Sequence, residues 1–321
     1  MKIFLDGYSD HNLGDDLMLF LAAERLSEHE IYIGGNMPNI ENAYKTNAKS
    51  GFDCYLKITG SGFKIYNNLG ILYRMRDMAR ERRYAKTRAA LGCNISGFIN
   101  SAAEKTIRAN LRQYDFITVR DSVSFDYIKK NIPSVKCEQY PDIVFSLPDK
   151  MIPDVPCEKL LGISVMRGAD YGHLARVADR YIEKTGNGVL LLCFDTGKEN
   201  DVSAAEEIYR LSQRQNMIEI IKYETVSGML SEMKRCGVIL GMRFHSCVLS
   251  ARMNIPFVPI VRSDKADALL PYVRDIHAPE GFDLENVLES ILNAGSPDFP
   301  AEVFIDAKKH LESFNKFLSQ L

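Results

Sequence analysis

At 321 residues the chain exceeds what one compact core usually holds, so two domains of roughly 150 residues each are expected. Hydrophobic residues make up 46% and charged residues 26%, with 40 Lys and Arg against 42 Asp and Glu. That balance excludes a disordered chain, a collagen-like or disulfide-stapled scaffold, and nucleic-acid binding by bulk charge; at a net charge of −2, any strongly anionic ligand must be met by positive groups gathered locally.

Short β-type runs at 2–6, 30–34, 54–60, 92–98, 115–119 and 143–147 predict strands. Helices are predicted between them, near 15–28, 71–90, 102–113 and 122–132, the first with Asp15 as its N-cap after Gly14. Repeated β-α units imply parallel strands joined by right-handed crossovers, a Rossmann-like layered domain over 1–148. The stretch Leu147–Pro156 then carries three prolines, which disfavour both helix and central strand and mark a linker. Alternation resumes in a second Rossmann-like domain over 157–299, with strands near 160–166, 188–194, 218–223, 236–241 and 256–261. Its helices are predicted near 171–185, 201–215, 225–235, 245–255 and 283–294. Over 300–321, Phe304, Ala307, Leu311, Phe314, Leu318 and Leu321 form one apolar stripe on a helix that must dock elsewhere on the chain.

Seven cysteines, an odd number without a C-x-x-C, give neither a zinc knuckle nor a redox pair. Only Ile3, Phe4 and Leu5 precede Asp6, too few for a secretory leader, and no apolar run approaches membrane-spanning length. A reducing cytoplasm is therefore expected. The phosphate-loop, dinucleotide, zinc-protease, D-x-D and G-x-S-x-G patterns are all missing, so chemistry with no metal and no bound cofactor is expected.

Four constellations remain. In Cys236–Pro256 a buried strand ends at Gly241, Arg243 and His245 follow on the turn, and a helix begins near Ser246. Helix N-termini favour anions, arginine offers a bidentate fork, and histidine moves protons near neutral pH. The alternative is an arginine paired to a core carboxylate and a packed histidine. In Asp115–Ser124 another strand ends at Arg120, with Asp121 or Ser122 capping the next helix; an Arg120–Asp121 surface pair is the plainer reading. Tyr8–Asp16 joins the first strand to the first helix, where Asn12 and Gly14 suit a tight loop. In Thr59-Gly-Ser-Gly62, the small residues Gly60, Ser61 and Gly62 let a ligand approach backbone N–H groups.

Together these pieces resemble the polysaccharide pyruvyl transferase family. The motifs run in order: Asn12-Leu-Gly-Asp15, Thr59-Gly-Ser-Gly62, Val119-Arg-Asp-Ser-Val-Ser124, Pro141-Asp-Ile-Val-Phe145, Gly162-Ile-Ser-Val-Met-Arg167 and Gly241-Met-Arg-Phe-His245 leading to Asn254-Ile-Pro256. The loop at 60–62 departs from the three glycines that members often show. The resemblance implies a GT-B-like fold, two Rossmann-like parallel-sheet domains facing a cleft, with the C-terminal helix packing back on the N-terminal domain. It also implies transfer of pyruvate from phosphoenolpyruvate to a sugar of a polysaccharide, or of its lipid-linked precursor, as a ketal. In that reading the N-terminal domain takes the acceptor and the C-terminal domain takes phosphoenolpyruvate. Arg243 anchors the donor anion with Arg120 and Arg167, and His245 serves as general acid–base. Asp15, Asn12 and Asp121 orient hydroxyls or arginines, while Gly14, Gly60, Ser61, Gly62 and Ser246 complete the binding loops. The alternatives are a GT-B glycosyltransferase using a nucleotide sugar and a non-catalytic sugar- or phosphate-binding protein. Residues 74–88 carry seven basic and two acidic side chains on a predicted helix. They read either as a contact for the inner face of an anionic membrane or as a solvated face, and their modest apolar content favours the solvated face.

Overall fold

Strands covered on both faces need continuous apolar runs, and such runs build two parallel sheets in this chain. The computed structural model describes residues 1–8, 11–35, 37, 39–95, 97–260 and 283–321. Ser9 and Asp10 of the first-loop motif, Ser96 of the strand expected at 92–98 and Val261 of that expected at 256–261 lie outside the described residues.

The first sheet contains β1 (Lys2–Gly7), β2 (Glu30–Gly34), β3 (Ala43–Thr46), β4 (Cys54–Ile58), β5 (Thr87–Cys93), β6 (Phe116–Val119) and β7 (Lys136–Gln139). Their spatial order is β3-β2-β1-β4-β5-β6-β7, with every pairing parallel. The connecting helices are α1 (Leu13–Arg25), α2 (Asn68–Tyr84), α3 (Ser101–Leu111) and α4 (Ser122–Asn131). Phe4, Tyr55, Ala90 and Ile117 from the sheet pack with Ile107, Leu111 and Ile128 from the helices, and burying each large apolar side chain stabilises the unit by about 1.5–3 kcal/mol.

The second sheet contains β8 (Leu160–Ser164), β9 (Val189–Cys193), β10 (Ile218–Lys222), β11 (Cys236–Gly241) and β12 (Phe257–Pro259), in the order β10-β9-β8-β11-β12, again all parallel. Around it lie α5 (Tyr171–Thr185), α6 (Asp201–Leu211), α7 (Val226–Arg235), α8 (Phe244–Arg252) and α9 (Leu284–Leu292). Side-chain caps start several of these helices: Asp170 accepts from the His173 N–H at 2.9 Å and Thr225 from the Gly228 N–H at 3.1 Å. Left-handed Gly186 and Asn254 end α5 and α8.

Contacts divide the chain into one unit of Met1–Ser9, Asp15–Ser146 and Phe304–Leu321, and another of Asp10–Gly14 and Leu147–Val303. The terminal segment, expected as one helix, is two: α10 (Ala301–Asp306) and α11 (Lys309–Leu318). Helix α11 packs back on the first sheet, where Phe317 stacks on Phe116 with centroids 5.2 Å apart. Ala307, Leu311, Phe314 and Leu318 are buried, whereas Leu321 falls outside the stripe and is exposed.

Four further expectations need correction. The helix expected to run to 90 ends at Tyr84, and β5 starts at Thr87, because tertiary pairing with β4 overrides the helical propensity of Ala89 and Ala90. The apolar run 143–147 is buried, but residues 143–146 form a 3₁₀ turn rather than a strand, opened by Asp142 accepting from the Val144 N–H at 2.9 Å. Strands β3 and β7 went unpredicted because edge strands carry polar, half-wet sequences such as Lys-Cys-Glu-Gln. Asp15 is not an N-cap: α1 begins at Leu13, and Asp15 sits in its first turn, where a negative charge suits the helix dipole.

Candidate functional site

In an open parallel sheet the loops beyond the carboxyl ends diverge where the strand order reverses, and ligands bind there. The reversal falls between β1 and β4 in the first sheet and between β8 and β11 in the second. Four of the six sequence motifs occupy these loops, whereas Val119–Ser124 and Pro141–Phe145 follow β6 and β7, away from the reversal. Asn12 follows β1, Gly60–Gly62 follow β4, Arg167 follows β8, and Arg243 with His245 follow β11.

In the N-terminal unit, the backbone N–H of Asn94 donates to the Gly60 carbonyl at 2.6 Å, tying the glycine loop to the end of β5. A Cβ at Gly60 would lie 2.9 Å from Arg120 Nη2, so only glycine admits this guanidinium against the loop. Arg120 does not form the surface pair with Asp121. It is buried, and its Nη1 donates to Asp142 Oδ2 at 2.6 Å. Asp121 instead caps α4, accepting from the Ser124 N–H at 2.8 Å and from Asn94 Nδ2 at 3.0 Å. Gly62 packs against the Thr59 side chain and gives its carbonyl to Arg74 of α2. The Ser61 hydroxyl is buried with no hydrogen-bond partner among the described residues, an arrangement that costs about 1–3 kcal/mol unless a ligand or water supplies one.

In the C-terminal unit, Ser164 at the end of β8 organises the turn after β11. Its hydroxyl accepts from the N–H groups of Met242 (2.8 Å) and Arg243 (3.2 Å) and lies 2.8 Å from Ser246 Oγ. Helix α8 starts at Phe244, two residues before the expected start near Ser246, so His245 stands in its first turn rather than on the turn before it. Arg243 Nε donates to Asp201 Oδ2 at 3.2 Å, while its two terminal nitrogens pair with Asp201 and Glu199. Burial works to lower the Arg243 guanidinium, but the two carboxylates outweigh it and hold the group above its ordinary value. Burial raises the Asp201 carboxyl, against the pull of Arg243. Arg167 is exposed and forms no ion pair among the described residues.

The stretch His11–Gly14 belongs to this second unit by its contacts, although it follows β1 in sequence. Leu13 N–H donates to the Phe194 carbonyl at 2.9 Å, Thr196 N–H to the His11 carbonyl at 3.0 Å, and Asn12 Nδ2 to Asp195 Oδ2 at 3.1 Å. His11 adopts a left-handed φ of 51° to make this turn. The imidazole of His245 lies on the side-chain-free face of Gly14, where a Cβ would meet ring Cε1 at 2.6 Å and Nδ1 closer still. The sequence reading missed Asp195, Glu199 and Asp201, which hold Asn12 and Arg243; the only available signal was three acids within seven residues after a buried strand.

A family model described as polysaccharide pyruvyl transferase matches residues 12–264. A search of curated proteins finds no match. Among solved structures, the UDP-GlcNAc 2-epimerase of Rickettsia bellii is similar at TM-score 0.65 and 10% identity, covering 100% of this chain and 96% of that one. The Methanocaldococcus jannaschii UDP-GlcNAc 2-epimerase, solved with UDP-GlcNAc and UDP, is similar at TM-score 0.64 and 10% identity over the whole of both chains. A Rickettsia africae glycosyltransferase is similar at TM-score 0.56 and 11% identity, covering 99% of this chain and 98% of that one. At such identities these likenesses establish the shared GT-B-type fold.

Proposed function

The chain belongs to the polysaccharide pyruvyl transferase family, and from that premise we propose that it moves the pyruvyl group of phosphoenolpyruvate onto two hydroxyls of a sugar acceptor. The product is a cyclic ketal, and inorganic phosphate leaves. In the balanced reaction both acceptor oxygens bond to the central carbon of the enol and its bond to the phosphate oxygen breaks. One hydroxyl proton ends on the new methyl group and the other on phosphate.

The observation that carries this reading is the placement of four of the six motifs on the loops flanking the strand-order reversals, two for each sheet. Phosphoenolpyruvate bears a phosphate and a carboxylate. Arg167, the N-terminal turn of α8 and the two N–H bonds of Arg243 not directed at Asp201 or Glu199 supply donors for them. His245 moves the proton, a role typically worth about 10²–10⁴-fold in rate. In the N-terminal unit, Ser61 offers an unsatisfied hydroxyl to the acceptor, next in the chain to Gly60, against which Arg120 packs. Asp15 and Asn12 are assigned to orienting hydroxyls. The acceptor is a polysaccharide unit or its lipid-linked precursor.

The donor is tested by thermal shift. Phosphoenolpyruvate at about a hundred times its Kd is expected to stabilise the protein by about 2.7 kcal/mol. UDP-GlcNAc, which the epimerase neighbours bind, is expected to give no shift. The reverse result would favour a nucleotide-sugar enzyme on the same fold.

A further inference from the structure

Helix α2 turns an unusual face to solvent. Leu69, Leu72 and Tyr73 are exposed on one side of its first half, flanked by Met75 and preceded by Tyr66, and all five are 52–72% exposed. Steps of three and four continue the same face through Arg76, Arg80 and Arg83, with Arg82 and Lys86 beside it, all exposed. The apolar set starts ahead of residue 74, so the basic stretch judged alone understates it.

The helix is not loosely attached. Its inner side is fixed by Glu81, which is fully buried and accepts from Lys57 Nζ at 2.6 Å and from the Tyr114 hydroxyl at 2.9 Å. Arg74 turns inward, over the Phe63 ring and onto the Gly62 carbonyl. The outward cations are less committed. Arg76 lies over the Tyr73 ring at 5.6 Å, and Arg82 donates to Gln113. Arg80 is partly offset by Asp77 and Asp6, each at 3.7 Å. Among the described residues Arg76, Arg83 and Lys86 form no ion pair.

We infer that this face of α2 docks on an anionic lipid bilayer. Exposed Leu, Tyr and Met side chains insert at the acyl boundary, while a row of arginines meets anionic headgroups. A second copy of the chain fits the face poorly, since a two-fold contact sets the arginine row against its own duplicate with the helices parallel, or against the apolar half with them antiparallel, and meets it with acid in neither case. No helix among the described residues is long and apolar enough to cross a membrane, so the attachment is peripheral. Because α2 also holds the Gly62 carbonyl through Arg74, docking would place the glycine loop near the lipid surface. The inference rests on the exposed face, not on the pyruvyl chemistry, and the two can fail separately.

The test is flotation of the full chain with vesicles of phosphatidylglycerol and phosphatidylcholine in equal parts, against phosphatidylcholine alone. The wild type should float only with the anionic vesicles. Raising salt to about 1 M, which shortens the screening length from about 10 Å to about 3 Å, should release it. Each lost arginine should weaken partitioning about fivefold, so Arg76→Ser with Arg83→Ser should cost about 25-fold. Leu72→Ser with Tyr73→Ser should also weaken it while leaving circular dichroism unchanged. Failure of the wild type to float, or equal flotation of all variants, would overturn the inference. A dimer in light scattering that Leu72→Ser with Tyr73→Ser dissolves would instead assign the face to a second copy.

Discussion

Replacing Gly14 by alanine sets two effects of known size against each other. Gly14 lies in the first turn of α1 without a left-handed φ, so helix propensity alone would make alanine the better residue by about 1 kcal/mol. The new methyl, however, would lie 2.6 Å from Cε1 of His245, whereas ordinary contact begins at 3.4 Å. The imidazole must therefore retreat by about 0.8 Å or more, and a misplacement of about 1 Å at a reacting group can cost about 10²-fold in rate. We expect Gly14→Ala to fold with wild-type circular dichroism, to shift the His245 Cε1–H resonance, and to lose phosphate release from phosphoenolpyruvate by about two orders of magnitude. The assay is continuous detection of inorganic phosphate, with kcat/KM compared between the two proteins. Turnover within about threefold of wild type, with the His245 resonance displaced, would refute the placement of this imidazole at the reacting atoms.

Three further outcomes follow from the same geometry. His310 is buried between Thr118 Oγ1 (2.6 Å) and the Pro141 carbonyl (2.8 Å), and burial lowers its imidazole to about 4 despite that carbonyl. Between about 6.5 and about 4 the unfolded chain binds a proton that the folded one excludes, so stability falls by about 3 kcal/mol as pH drops through that window. Urea unfolding at about pH 7 and about pH 4.5 should show this loss, and His310→Gln should remove that part of the slope. Asp142→Ala leaves the Arg120 charge buried and should cost about 3–5 kcal/mol in the same measurement, whereas a cost under about 1 kcal/mol would mean the pair is not buried as described. Arg167→Ala should raise the KM for phosphoenolpyruvate at least tenfold while leaving the melting temperature unchanged, because the side chain is exposed and forms no ion pair among the described residues; an unchanged KM would remove Arg167 from the donor site.

What the sequence disclosed followed the reach of local signals. The β11–α8 turn was legible because a buried apolar run ends on glycine and polar residues follow at once. Capping was partly legible: Asp121 was one of two candidates for α4, whereas the first helix took Asn12 rather than Asp15 as the residue before its start. Charge pairing was legible only as an alternative, an arginine held by a core carboxylate, which Arg243 and the buried Asp201 bear out; which acid meets which arginine is set by the fold. Asp142 lies 22 residues beyond Arg120, and Asp201 lies 42 before Arg243. Arg120 and Arg243 are thus each paired with acids of their own unit, and among the described residues Arg167 forms no ion pair. Which side chains share the outward face of α2 was likewise set by the fold. Leu69, Leu72 and Tyr73 are more than half exposed while Glu81 is buried on the opposite side, which inverts the usual helical pattern.

The most direct test of the central claim is incubation of the purified protein with phosphoenolpyruvate and a panel of sugar acceptors, with phosphate release and acceptor mass followed together. The account predicts phosphate release that depends on one acceptor class, stoichiometric with an acceptor heavier by one pyruvate less one water, and abolished by His245→Ala in a folded protein. Transfer from a nucleotide sugar with none from phosphoenolpyruvate, or undiminished turnover in His245→Ala, would contradict it.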